Sequence, residues 1–86
     1  MISKEITIQN PTGLHTRPAN DFVTLANTFQ SDINIRKNEK TANAKSIIKL
    51  LRIGISQNDR VVLEADGADE EKAVQALTEF IDQLQE

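Results

Sequence analysis

The chain has 86 residues, with ten Lys or Arg against thirteen Asp or Glu, a formal net charge of −3, 38% apolar residues and no cysteine. That length and balance describe an ordinary soluble globule with one core, so a single domain over residues 1–86 is expected. They exclude a disulfide framework, a thiolate metal site and an apolar run of about 20 residues able to span a bilayer. Three Phe with no Trp or Tyr, on an acidic chain, also exclude the basic, aromatic surface of a general nucleic-acid binder. No signal-peptide pattern opens the chain, and the expected address is the cytoplasm.

Ile2, Ile6 and Ile8 share one parity across residues 2–8, which predicts a half-buried strand. Asn10-Pro11-Thr12-Gly13 is a cluster of turn formers. Phe22, Val23, Ala26 and Phe29 then fall at helical spacings, and a helix is predicted over 16–27. Pro18 is tolerated only in a first turn, so the helix starts close to His15. Ile33 and Ile35 mark a second strand, and residues 40–43 a third, with Asn38-Glu39 at a tight hairpin turn. A left-handed Glu39 would cost about 1 kcal/mol, so a loop without that strain is expected.

Ser46 is a good N-cap for a short helix through Arg52 or Ile53, with Gly54 ending it. Val61, Leu63 and Ala65 alternate as a fourth strand. Asp69 is expected to cap a long last helix, with Glu70 and Glu71 complementing its dipole. Ala73, Val74, Leu77, Phe80, Ile81 and Leu84 form its apolar stripe. The order β-α-β-β-α-β-α, with one apolar parity per strand and one stripe per helix, predicts an α+β fold. In it a four-stranded antiparallel sheet carries three helices on one face. A ferredoxin-like arrangement fits the same pattern.

The charge is unevenly spread. Residues 1–58 carry a net +4 and residues 59–86 a net −7, and the sole histidine, His15, lies in the basic half. This predicts a positive docking face for acidic partners. At a helix start, His15 sits among N–H groups without intrahelical acceptors, a setting that attracts phosphate. Arg17 adds a planar cation suited to phosphate oxygens. An inert helix-capping histidine is the plain alternative.

Gly13-Leu14-His15-Thr16-Arg17-Pro18-Ala19 is similar to the active-site signature of the HPr family. These are the histidine phosphocarriers of the bacterial phosphoenolpyruvate:sugar phosphotransferase system. Residues 44–54, beginning Ala44-Lys45-Ser46, resemble that family's regulatory-serine helix, and residues 65–73 resemble its entry into the last helix. The three matches, in that order and at those separations, span nearly the whole chain. The resemblance implies an open-faced β-sandwich of four strands and three helices. It also implies a carrier phosphorylated stoichiometrically on Nδ1 of His15, rather than an enzyme with its own substrate pocket. Enzyme I is then the donor and sugar-specific enzyme IIA domains are the acceptors. No cofactor or metal is implied, and one histidine without cysteine leaves few strong metal ligands. Asn20 and Glu39 stand where relatives often carry a small apolar residue and a glycine.

The chemistry fits that assignment. Imidazole, with an unperturbed pKa of about 6.5, is largely neutral at cytosolic pH and needs no neighbouring base to attack. The helix terminus and Arg17 should lower the pKa of free His15. Once phosphorylated, the group meets stabilising N–H donors at Thr16 and Arg17 and the Arg17 guanidinium. Ser46 is the candidate regulatory site: in many Gram-positive relatives a dedicated serine kinase modifies the matching residue. Lys49 and Leu50-Leu51-Arg52 look more like the enteric version, which keeps the serine without that use. Ile47, Ile48 and Leu51 cannot all face inward on so short a helix. One or two are expected to form a docking patch rimmed by Lys45, Lys49 and Arg52, while Leu50 and Ile53 cover the sheet. A paralogue of a nitrogen-related or regulatory branch, or a non-catalytic binding module, are the competing readings.

Overall fold

Four strands, β1 (Ile2–Thr7), β2 (Asp32–Lys37), β3 (Lys40–Asn43) and β4 (Arg60–Asp66), form one sheet in the order β1-β4-β2-β3. Every pairing is antiparallel. Three helices, α1 (Thr16–Ala26), α2 (Ile47–Ile53) and α3 (Glu70–Asp82), complete the β-α-β-β-α-β-α order. The computed structural model describes residues 1–11, 13–14 and 16–84. A ferredoxin-like sheet would run its central strands parallel through a split β-α-β unit. Here β4 lies between β1 and β2 instead, which settles the choice the sequence pattern left open.

Register explains why one side of the sheet is apolar. Ile6 pairs with Val61, Ile33 with Ala65, and Ile35 with both Leu63 and Ala42. All seven are buried, on the face the helices cover. The opposite parity places Ser3, Glu5, Asn34, Arg36 and Thr41 on an exposed face, with Val62 and Glu64 half-buried among them. Phe22 of α1, fully buried, meets Phe80 of α3 with ring centroids 6.0 Å apart and planes tilted by 56°, a favoured aromatic geometry. Leu50 and Ile53 turn inward from α2, which packs against β3 and α1.

The hairpin between β2 and β3 is closed by two residues, since Lys37 pairs with Lys40. Its left-handed residue is Asn38, at φ 56°, and not Glu39. Asparagine tolerates that region far better than glutamate, so the loop avoids the strain of a left-handed Glu39, as expected.

Helix ends bring two corrections. Leu84 lies beyond α3, which stops at Asp82, although it still packs against the core. Asp69 occupies the N-cap position of α3, yet its side chain makes no cap hydrogen bond. Its carboxylate instead accepts from the Gln30 and Ser31 backbone N–H groups, each at 2.9 Å, and from the Ser31 hydroxyl. Three donors in the turn between α1 and β2 outcompete the helix's own N–H groups. Glu70 takes up part of the local work, accepting from the Gly67 N–H at 3.3 Å.

Candidate functional site

The loop between β1 and α1 is suspended from a second loop, residues 54–59. At its near end the Ile8 N–H donates to Asp59 O at 2.9 Å, and Asn58 N–H donates to Ile8 O at 2.7 Å. At its far end the Leu14 N–H donates to Ile55 O at 3.0 Å, making an isolated antiparallel bridge. Between them Asn10 closes a turn: its side-chain amide donates to Gly13 O at 2.8 Å, while Gly13 N–H donates to Asn10 O at 3.2 Å.

Gly13 is required where it stands. Its φ of 64° is in the left-handed region, and a Cβ there would lie 2.3 Å from Ile55 O and 2.7 Å from Ser56 Cα. The two backbones therefore touch two residues before the histidine.

Loop 54–59 is itself held by Lys37, the last residue of β2. The Lys37 ammonium donates to Gly54 O at 2.7 Å and pairs with Asp59 at 2.8 Å. The same Asp59 oxygen accepts from Ser56 N–H at 2.7 Å. Lys37 first, and the Ser56 N–H second, hold the Asp59 carboxyl below the usual carboxylate range. Sequence reasoning missed this pair. Its members lie 22 positions apart in the sequence, in no motif, and Lys37 registered only as one of several basic residues.

His15 lies outside the described residues. Its neighbours on both sides are described. Leu14 is buried at 2% exposure, and Thr16 opens α1. Thr16 and Arg17 are exposed, whereas Pro18 and Ala19 are buried and anchor the first turn. That turn contains no carboxylate to compete with an anion, and helical geometry leaves its first N–H groups without intrahelical acceptors.

Helix α2 takes the form its sequence suggests. Ser46 caps it, accepting a long bond of 3.5 Å from Lys49 N–H, and Gly54 ends it in the left-handed conformation. Ile48 is 69% exposed and Leu51 38%, with Lys49 and Arg52 exposed beside them. Ile47 is half-buried against the core. Lys45 does not join the rim as anticipated. It is half-buried, its ammonium donates to Phe29 O at 2.8 Å, and its carbonyl accepts from the Asn27 amide at 3.3 Å. It ties α2 to the end of α1.

Among the described residues, no helix is long and apolar enough to cross a membrane. The family model described as "PTS HPr component phosphorylation site" matches residues 2–83. The phosphocarrier protein HPr of Buchnera aphidicola subsp. Baizongia pistaciae is 46% identical over 84 residues, covering 98% of this chain and 99% of the relative. Among solved structures, HPr-C-His from Thermoanaerobacter tengcongensis superposes with a TM-score of 0.93 at 46% identity, over 95% of this chain and 92% of that one. HPr from Bacillus anthracis str. Ames does so with a TM-score of 0.90 at 36% identity, over 93% and 95%. Fold, motif order and full-length similarity agree, and the chain belongs to the HPr family of phosphocarrier proteins of the phosphotransferase system.

Proposed function

We propose that His15 is the phosphoryl-bearing residue, charged by phospho-enzyme I and discharged to sugar-specific enzyme IIA domains in the cytoplasm. The observation that carries this reading is that a chain matched to a family phosphorylation-site model has one histidine, placed between an anchored Leu14 and the first residue of α1. In the forward step an imidazole nitrogen lone pair forms a bond to phosphorus, and the donor–phosphorus bond breaks with its electron pair leaving on the donor. The ring proton stays on the other nitrogen. Such transfer passes through a loose, in-line transition state, so positioning and charge stabilisation supply most of the catalysis. The Thr16 and Arg17 N–H groups and the Arg17 guanidinium stabilise the resulting dianion. The exposed Ile48 and Leu51, with Lys49 and Arg52 around them, are the docking patch for enzyme I and enzyme IIA.

Ser46 is the second candidate. A phosphate on it would sit at the start of α2, and its charge beside Lys49 would weaken docking to acidic partners.

The test is incubation with phosphoenolpyruvate and enzyme I. One acid-labile, base-stable phosphate per chain is expected, absent in His15→Ala. Labelling by a nitrogen-branch enzyme alone would move the protein to that branch, and labelling by neither would leave a binding module.

A further inference from the structure

We infer that Lys37 and Asp59 are positioning residues for phosphoryl transfer: together they fix loop 54–59, the support to which both ends of the phosphorylation loop are hydrogen-bonded. This rests on the reading of His15 given above and adds residues to it that the signature does not contain.

One ammonium closes loop 54–59 from both sides, bonding the Gly54 carbonyl at its start and the Asp59 carboxylate at its end. Asp59 then reaches back to Ser56 N–H, while its own N–H donates to Ser56 O at 3.1 Å. From the loop so fixed, four backbone or side-chain bonds run to the β1–α1 segment. Ile55 O takes Leu14, Asp59 O takes Ile8, Asn58 N–H reaches Ile8 O, and the Gln57 amide donates to Gln9 O at 3.2 Å. The Gly13 backbone is pressed against Ile55 and Ser56 with no room for a Cβ. A displacement of loop 54–59 is therefore passed directly to Gly13 and Leu14, the residues that deliver His15. In-line transfer is sensitive to such shifts, since a misplacement of about 1 Å costs on the order of 100-fold in rate. Lys37 is also an unsuitable docking cation: it is 22% exposed and its charge is met by Asp59.

The experiment compares wild type with Lys37→Met, Asp59→Ala, their double variant and Lys37→Arg. Endpoint phosphate per chain in the wild type tests the His15 reading by itself, and hydrogen exchange, measured in parallel, tests the clamp independently of it. Expected is a roughly 10-fold fall in kcat of enzyme I for Lys37→Met and Asp59→Ala, with KM within about 2-fold. The double variant should be no worse than Asp59→Ala by more than about 2-fold, because the pair acts as a unit. Lys37→Arg should recover most of the loss. Exchange of the Ile8 and Leu14 amides should quicken about 10-fold while that of Leu63 in the central strand holds. Three results would overturn the inference. They are unchanged kcat and exchange, a raised KM confined to Lys37→Met, or a rate loss that follows Leu63 exchange and so reports general unfolding.

Discussion

Strand β4 has an aspartate-built clamp at each end, and the two differ in what they hold with. Asp59, just before the strand, takes one ammonium and one N–H from its own loop. Asp69, just after it, takes two N–H groups and a hydroxyl from the turn between α1 and β2, with no cation among these donors. Both carboxyls are held below their ordinary range. Lys37 is the largest cause for Asp59, and the Ser31 hydroxyl, then the Gln30 N–H, for Asp69. An ion pair that is about a quarter exposed stays sensitive to salt, whereas bonds from neutral donors depend little on ionic strength. The end of the molecule that presents the phosphorylation loop is thus the more adjustable one, and the far end is the firmer.

The sharpest way to break this contrast is at the contact the adjustable end cannot give up. Gly13→Ala combines a left-handed φ with a Cβ driven into the Ile55 carbonyl, and a loss of about 3 kcal/mol is expected in urea unfolding. A neutral result would mean that the two loops separate freely. Next in size is Asp69→Ala, expected to lower Tm by several degrees because two backbone N–H groups and a hydroxyl lose their acceptor. A carboxyl whose pKa is depressed on folding contributes stability above its unfolded value and loses it as pH falls through the folded value. The gap between wild type and Asp69→Ala should therefore be full at pH 7 and close below about pH 4. Smaller again is the stability cost of Lys37→Met, and here salt separates the clamps. In 1 M salt, where the Debye length is about 3 Å, the Lys37→Met gap should shrink while the Asp69→Ala gap persists.

Features written within one turn or one alternation were legible in the sequence. Ser46 and Gly54 bound α2 because capping depends on the residue at the cap and its near neighbours. Val61, Leu63 and Ala65 announce β4 because side chains alternate within a single strand. Strand order was not legible. One-sided patterning suits any sheet with helices on one face, and only pairing across the chain puts β4 between β1 and β2. The same distance hid the roles of three side chains. Asp69 reads locally as a cap, but its donors lie 38 and 39 residues back. Lys45 reads as a surface cation near a docking patch, but the Phe29 carbonyl lies within reach once α1 and α2 pack. Lys37 and Asp59 meet only because β2 ends where loop 54–59 passes. At the site itself the motif was legible because it is contiguous, whereas the loop supporting it is not.

Ile48 gives the smallest stability effect and the cleanest division between folding and docking. With 69% of its surface exposed, it buries little apolar area in the free protein. Serine and isoleucine differ little in helix propensity. Ile48→Ser should therefore change unfolding free energy by less than about 0.5 kcal/mol. Leu50, two positions on and fully buried, would cost about 3 kcal/mol as alanine. If the exposed side of α2 receives enzyme I, Ile48→Ser should raise KM severalfold and leave kcat in place, the signature of lost uniform binding. Lys37→Met should do the reverse, lowering kcat with KM held. Matching kinetic signatures for the two variants would mean that the patch and the clamp are one docking surface, and the division between the presenting loop and its support would have to be redrawn.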